Sequence, residues 1–196
     1  SESFDSLESE KDMLYLLNLL TNFKDQNGRC PVFTMNYNLT NPDFKRIEMS
    51  DFREYFFEPF TATLQAYENS SGVFNLLTQG IDKGVFFPQY HGITHFNFHH
   101  WLRLLQLGNE DALLAFKHKM VGITPIENPE DGNQLMVALK FENSTQFEEQ
   151  LSGLKTGCKL FKETFGYISK SFIAPSYTWN RRVEEVLWNE GIEYIQ

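Results

Sequence analysis

Apolar residues near the start of the chain recur at helical spacing. Met13, Leu16, Leu17, Leu20 and Phe23 follow Ser9, whose hydroxyl suits an N-cap, with Asp12 three residues on. The pattern predicts a helix that stops before the turn signal Gln26-Asn27-Gly28. The period then changes. Cys30-Pro31-Val32-Phe33-Thr34-Met35-Asn36 is a short, nearly unbroken apolar run, which predicts a strand covered on both faces. Asn41-Pro42-Asp43 predicts a turn. Residues 52–67 read as an aromatic-rich helix that Pro59 breaks or kinks, and residues 73–79 as a short helix stopped near Gly80.

The second half repeats the alternation. A strand is expected over residues 84–89 and a helix over 98–107, with Trp101, Leu104 and Leu105 on its apolar face and Gly108 at its end. Asn109 suits the cap of a helix reaching Met120, with Leu113, Leu114 and Phe116 inward. A loop with Pro125, Pro129 and an Asp131-Gly132 turn follows. Ser144 or Thr145 opens a long helix to about Phe165. Ser171-Phe172-Ile173-Ala174 predicts a third strand, ended by Pro175. Asn180 caps a helix to Asn189, Gly191 closes it, and residues 192–195 begin a fourth strand. Strands alternating with helices predict the α/β class, with parallel strands joined by right-handed crossovers. The length of 196 residues suits one domain. Four strands are few for so many helices, and the chain opens on Ser1-Glu2-Ser3 without Met. The expectation is a single domain over residues 1–196, cut at both ends.

Composition narrows the function. The chain is 41% apolar and 15% aromatic, as a folded protein is, and its formal net charge is -9. So acidic a surface argues against nucleic acid or an anionic membrane as the main partner. No segment reads as membrane-spanning. Cys30 and Cys158 have no zinc-type spacing and read as small buried hydrophobes.

The chemistry-bearing stretch is Phe86-Phe87-Pro88-Gln89-Tyr90-His91-Gly92-Ile93-Thr94-His95. Two imidazoles four residues apart, just past a strand, can share one divalent metal ion, because neutral imidazole is the commonest side-chain metal ligand. Ligands of α/β folds bind beyond the carboxyl ends of the strands. His99 and His100 read as helix-surface residues beside the pair, and His118 as a charge closing a helix. Asp43 reads as a helix cap, and Asp82 stands at the wrong end of its strand. Asn36 and Asn38, at the end of the first strand, can hydrogen-bond a polar ligand. Tyr90, Tyr177 and Trp179 suit stacking on a sugar ring.

In this order the strand ending at Asn36, the run Pro88-Gln89-Tyr90-His91-Gly92 with His95, and Ser171-Phe172-Ile173-Ala174-Pro175-Ser176-Tyr177 resemble the polysaccharide deacetylase family. The likeness is to a bacterial branch of the glycoside hydrolase/deacetylase (β/α)-barrel superfamily. The resemblance implies a distorted, here incomplete, seven-stranded (β/α) barrel. It implies metal-dependent removal of N- or O-acetyl groups from a polysaccharide or amino sugar. It makes His91 and His95 ligands of a divalent metal, most readily zinc, and gives Pro175 the shaping of the next turn. Asn36, Tyr90, Pro175, Tyr177 and Trp179 are the residues expected near the carbohydrate. The resemblance places the Tyr177 backbone amide at an oxyanion. The family's paired aspartates would lie before Ser1 and its acid histidine beyond Gln196, and Ile173 stands where the family has arginine. The alternative expectation is a degenerate barrel that binds glycans without cleaving them.

Overall fold

The computed structural model describes residues 7–122 and 135–196. Asp5, Pro125, Pro129 and the expected Asp131-Gly132 turn lie outside the described residues. The protein is α/β. Its main sheet has four strands in the order β1 (Phe33–Asn38), β4 (Phe86–Gly92), β5 (Ser171–Phe172) and β6 (Tyr194–Ile195). A separate two-stranded pair joins β2 (Thr40–Pro42) and β3 (Phe57–Pro59). The helices are α1 (Glu10–Asn22), α2 (Phe44–Met49), α3 (Phe60–Ala66), α4 (Val73–Asp82), α5 (Phe98–Gln106), α6 (Glu110–Lys117), α7 (Ser144–Phe165) and α8 (Arg181–Asn189). Two compact units divide the chain: Ser1–Asn36 with Pro59–Gln89, and Tyr37–Glu58 with Tyr90–Gln196.

In the first unit, α1 starts on a reciprocal cap: Ser9 accepts from the Asp12 amide while the Asp12 carboxylate accepts from the Ser9 amide. Helix α4 begins at Gly72, which has no side chain to cap with. Glu10 fills that role from α1, its Oε1 accepting from the Gly72 amide at 2.7 Å. The expected stop at Gly80 does not occur, since α4 runs on to Asp82. Gly80 is a packing glycine there: a Cβ would overlap the Phe86 ring.

In the second unit the strands are parallel, with Tyr90 opposite Phe172 and Phe172 opposite Ile195. Their core holds Tyr90, Leu151, Leu154, Phe161, Phe172, Val183 and Leu187. Helix α7 approaches Tyr90 at Gly157, where a Cβ would overlap the phenol hydroxyl, and that hydroxyl donates to the Leu154 carbonyl at 3.3 Å. A second cluster gathers Ile47, Phe96, Trp101, Leu105 and Phe116. The continuous helix expected before Pro59 is replaced. Asp51 and Phe52 have positive φ (51° and 59°), the chain turns, and residues 57–59 pair as a strand. Strands β1 and β4 also lie two to three residues later than the apolar runs suggested. No described helix is long and apolar enough to cross a membrane.

Candidate functional site at the carboxyl edge of the sheet

Strand β4 is interior in the sheet, and its alternate residues Phe86, Pro88 and Tyr90 are all buried on one face. Tyr90 turns into the core and is 0% exposed, which removes it from any surface available to a glycan. The expected sugar-stacking role of Tyr90 is therefore corrected: its ring is a core ring. The next residue, His91, faces the other way and is half-buried.

His91 Nδ1 lies 2.7 Å from the Ile173 carbonyl oxygen, just past β5. A carbonyl only accepts, so Nδ1 carries the proton and Nε2 keeps its lone pair. Histidines that hold metals commonly have their other nitrogen anchored in this way. The anchor is a backbone atom, so an isoleucine at 173 supplies it as well as any other residue would.

Gly92 lets the chain turn after His91. Its φ is +120°, and a Cβ there would sit 3.1 Å from the Thr94 carbonyl, 3.5 Å from Asn38 Oδ1 and 3.6 Å from Pro175 Cγ. The turn brings His95 back to His91, with ring centroids 5.0 Å apart and planes at 57°. Zinc–nitrogen bonds of about 2.1 Å at a tetrahedral angle place two imidazole centroids on the order of 5 Å apart. The centroid spacing of the pair is that of two imidazoles on one ion. His95 Nδ1 is buried without a hydrogen-bond partner. Burial first, and the neighbouring His91 second, hold its pKa below the ordinary 6.5, which favours the neutral form a metal requires.

Asn38 adds a third unpaired atom on the same edge. Its Oδ1 is buried without a hydrogen-bond partner, beside Gly92. Asn36, the other asparagine expected here, is exposed and belongs to the first unit. Asn38 is the last residue of β1. Behind Gly92 lies a cavity of about 30 Å³, bordered by Thr94, Gly153, Leu154 and Pro175. That is room on the order of one water molecule.

Pro175 is buried and starts a single 3-10 turn, Pro175–Tyr177. Ser176 and Tyr177 both have positive φ, 55° and 52°. The Ser176 hydroxyl donates to the Met136 carbonyl at 2.7 Å and holds the turn in this left-handed form. The Tyr177 amide donates to the Ala174 carbonyl at 2.9 Å. The oxyanion role expected of that amide is thus closed in this conformation, and what Tyr177 presents is its ring, 70% exposed. Trp179 is half-buried against the core and donates Nε1–H to Glu184 at 2.9 Å, which fixes the indole.

No family model, curated protein or solved structure matches this chain. The site therefore rests on its own geometry. Among the described residues no group of three or more His, Cys, Asp or Glu side chains is placed to hold one metal ion. The remaining expectations fall elsewhere. Asp43 caps α2, accepting from the Arg46 amide, and His118 closes α6. His99 and His100 lie in the first turn of α5.

Proposed function

We propose that the carboxyl edge of β4 and β5 is half of a divalent-metal site, with zinc as the natural ion, in a carbohydrate deacetylase-like hydrolase on an incomplete or distorted (β/α) barrel. The observation that carries the reading is the His91 Nδ1–H bond to the Ile173 carbonyl, which leaves Nε2 free beside a second imidazole at 5.0 Å. A metal bound there would polarise an acetyl carbonyl and make hydroxide available near neutral pH. Ile173 fixes the His91 ring. Asn38 Oδ1 adds a buried acceptor without a partner at the same turn. Tyr177 offers a flat apolar face to a sugar ring.

A second reading is that the barrel is catalytically degenerate and only binds glycans. It is favoured by the lack, among the described residues, of a carboxylate joining the histidine pair. One experiment separates the two. Zinc content and acetate release from N-acetylglucosamine oligomers are measured for the unaltered chain and for His91→Ala. Zinc that is lost in the variant, with acetate release, supports the hydrolase. Zinc near zero in both proteins overturns the metal site. Oligomer binding without acetate release selects the second reading.

A further inference from the structure

A second polar cleft lies in the same unit, on the helical side, where α5 begins. Its volume is about 280 Å³, and among the residues bordering it are Arg53, Arg103, His99, His100, Gln146 and Glu142. Arg53 and Arg103 keep their charge at every pH, because a guanidinium cannot lose its proton. Each stands beside one carboxylate, Asp51 and Glu142 respectively.

The charges already have partners, but weak ones. Arg103 Nη1 is 3.3 Å from Glu142 Oε1, with the two side chains 62% and 57% exposed. Arg53 reaches Asp51 at 3.4 Å, and both are more exposed still. Exposed pairs of this kind are weak and screened by solvent, so an incoming anion displaces them at little cost. The helix adds to the same sign. Asn97 caps α5 and takes up the His100 amide at 3.1 Å, and the positive end of the helix dipole points at the cleft. The Asn97 side chain is itself anchored, its Nδ2 donating to the Lys140 carbonyl at 2.8 Å, so the mouth of the cleft is fixed. Gln146 gives its oxygen to the Glu142 amide at 2.8 Å, which leaves its amide hydrogens as donors.

We infer that this cleft binds a small oxyanion through Arg53 and Arg103: a phosphate, a sulfate, or the carboxylate of an acidic sugar. Its size admits such a group together with one ring of a carrier molecule. The inference does not depend on a metal at His91 and His95.

The test titrates the full 196-residue chain with inorganic phosphate, glucuronate and, as the uncharged control, glucose, read by calorimetry and amide NMR shifts. Saturable binding of phosphate or glucuronate is expected, with shifts centred on α5 and Glu142, and none with glucose. Phosphate binding without glucuronate identifies the phosphate source, and the reverse identifies the acidic sugar. Arg103→Gln and Arg53→Gln are each expected to weaken binding about tenfold. Glu142→Gln frees Arg103 and is expected to tighten it several-fold, whereas Glu163→Gln, a remote charge change, leaves it unaltered. Circular dichroism melts confirm that each variant is folded. Binding by neither anion, Arg variants that bind as the parent does, or equal tightening by both Glu variants would overturn the proposal.

Discussion

The two histidine pairs of the second unit lie within ten residues of each other and have different fates. His91 and His95 flank a glycine turn at a strand end. One is anchored by a backbone carbonyl and the other is buried without a partner, so the pair is oriented yet chemically unsatisfied. His99 lies in the first turn of α5 and is itself largely buried, its side chain 18% exposed. Its Nε2 stands 3.2 Å from Glu149 Oε2, within ion-pair reach but without hydrogen-bond geometry, and the carboxylate is 53% exposed. A backbone anchor holds a ring at a set angle, because the strand that carries it is locked in the sheet. A surface carboxylate on a flexible stem does not. The difference between the pairs is the anchor: a backbone carbonyl for His91, a half-exposed carboxylate for His99.

The sharpest way to break the comparison is to remove one ring from each pair. His91→Ala is expected to weaken zinc binding by more than about a hundredfold, since losing a ligand exceeds the 10–100-fold loss typical of a disturbed supporting contact. His99→Ala is expected to leave zinc affinity within about twofold. Competition against a chromophoric chelator measures both, and equal losses would erase the distinction.

The anchoring itself is tested at Gly157. A methyl there overlaps the Tyr90 hydroxyl, and Tyr90 is the residue before His91. Gly157→Ala is expected to cost about 2 kcal/mol in urea unfolding, the strain of overpacking less the helix propensity gained. A stabilised variant would show that α7 does not hold β4 in place.

Acid should act on both pairs in the same direction. Burial, as the main cause in each, lowers the pKa of His95 and His99 below the ordinary 6.5. Between the folded values and 6.5 the unfolded chain therefore binds more protons than the native one. The contribution to stability is full above pH 6.5 and is lost as the pH falls through the folded values. The urea midpoint is expected to drop from pH 7.5 to pH 5.5, and less steeply in a His95→Gln, His99→Gln double variant. An unchanged slope in that variant would assign the acid loss to carboxylates. The smallest effect is expected at Glu149→Gln, whose exposed contact with His99 should change stability by less than about 1 kcal/mol.

What was legible in the sequence was what is local. The caps at Ser9, Asn109 and Asn180 and the long α7 are set by side chains within a turn of where they act, and each is found as read. Gly80 misled because its role is tertiary: it admits Phe86, a fact that no helix pattern carries. Tyr90 misled for a related reason. Aromatic residues suit both a core and a sugar platform, and only the face of β4 on which the ring falls decides between them. At the site, the histidine spacing and the turn at Gly92 were visible. The Ile173 carbonyl and the unpaired oxygen of Asn38 were not, since the first is backbone from a distant strand and the second depends on where β1 ends. The strand signals ran early because Cys30, Pro31 and Val32 are apolar without being paired.

The central claim is that His91 is held with its proton on Nδ1 and its Nε2 lone pair presented. Histidine-selective nitrogen NMR at pH 7.5 measures this directly, in the metal-free chain and during zinc titration. The Nδ1–H tautomer is expected for His91, with an Nε2 resonance that shifts on adding zinc while the His99 ring nitrogens stay in place. A neutral Nε2–H tautomer, or a His91 signal indifferent to zinc, would contradict it.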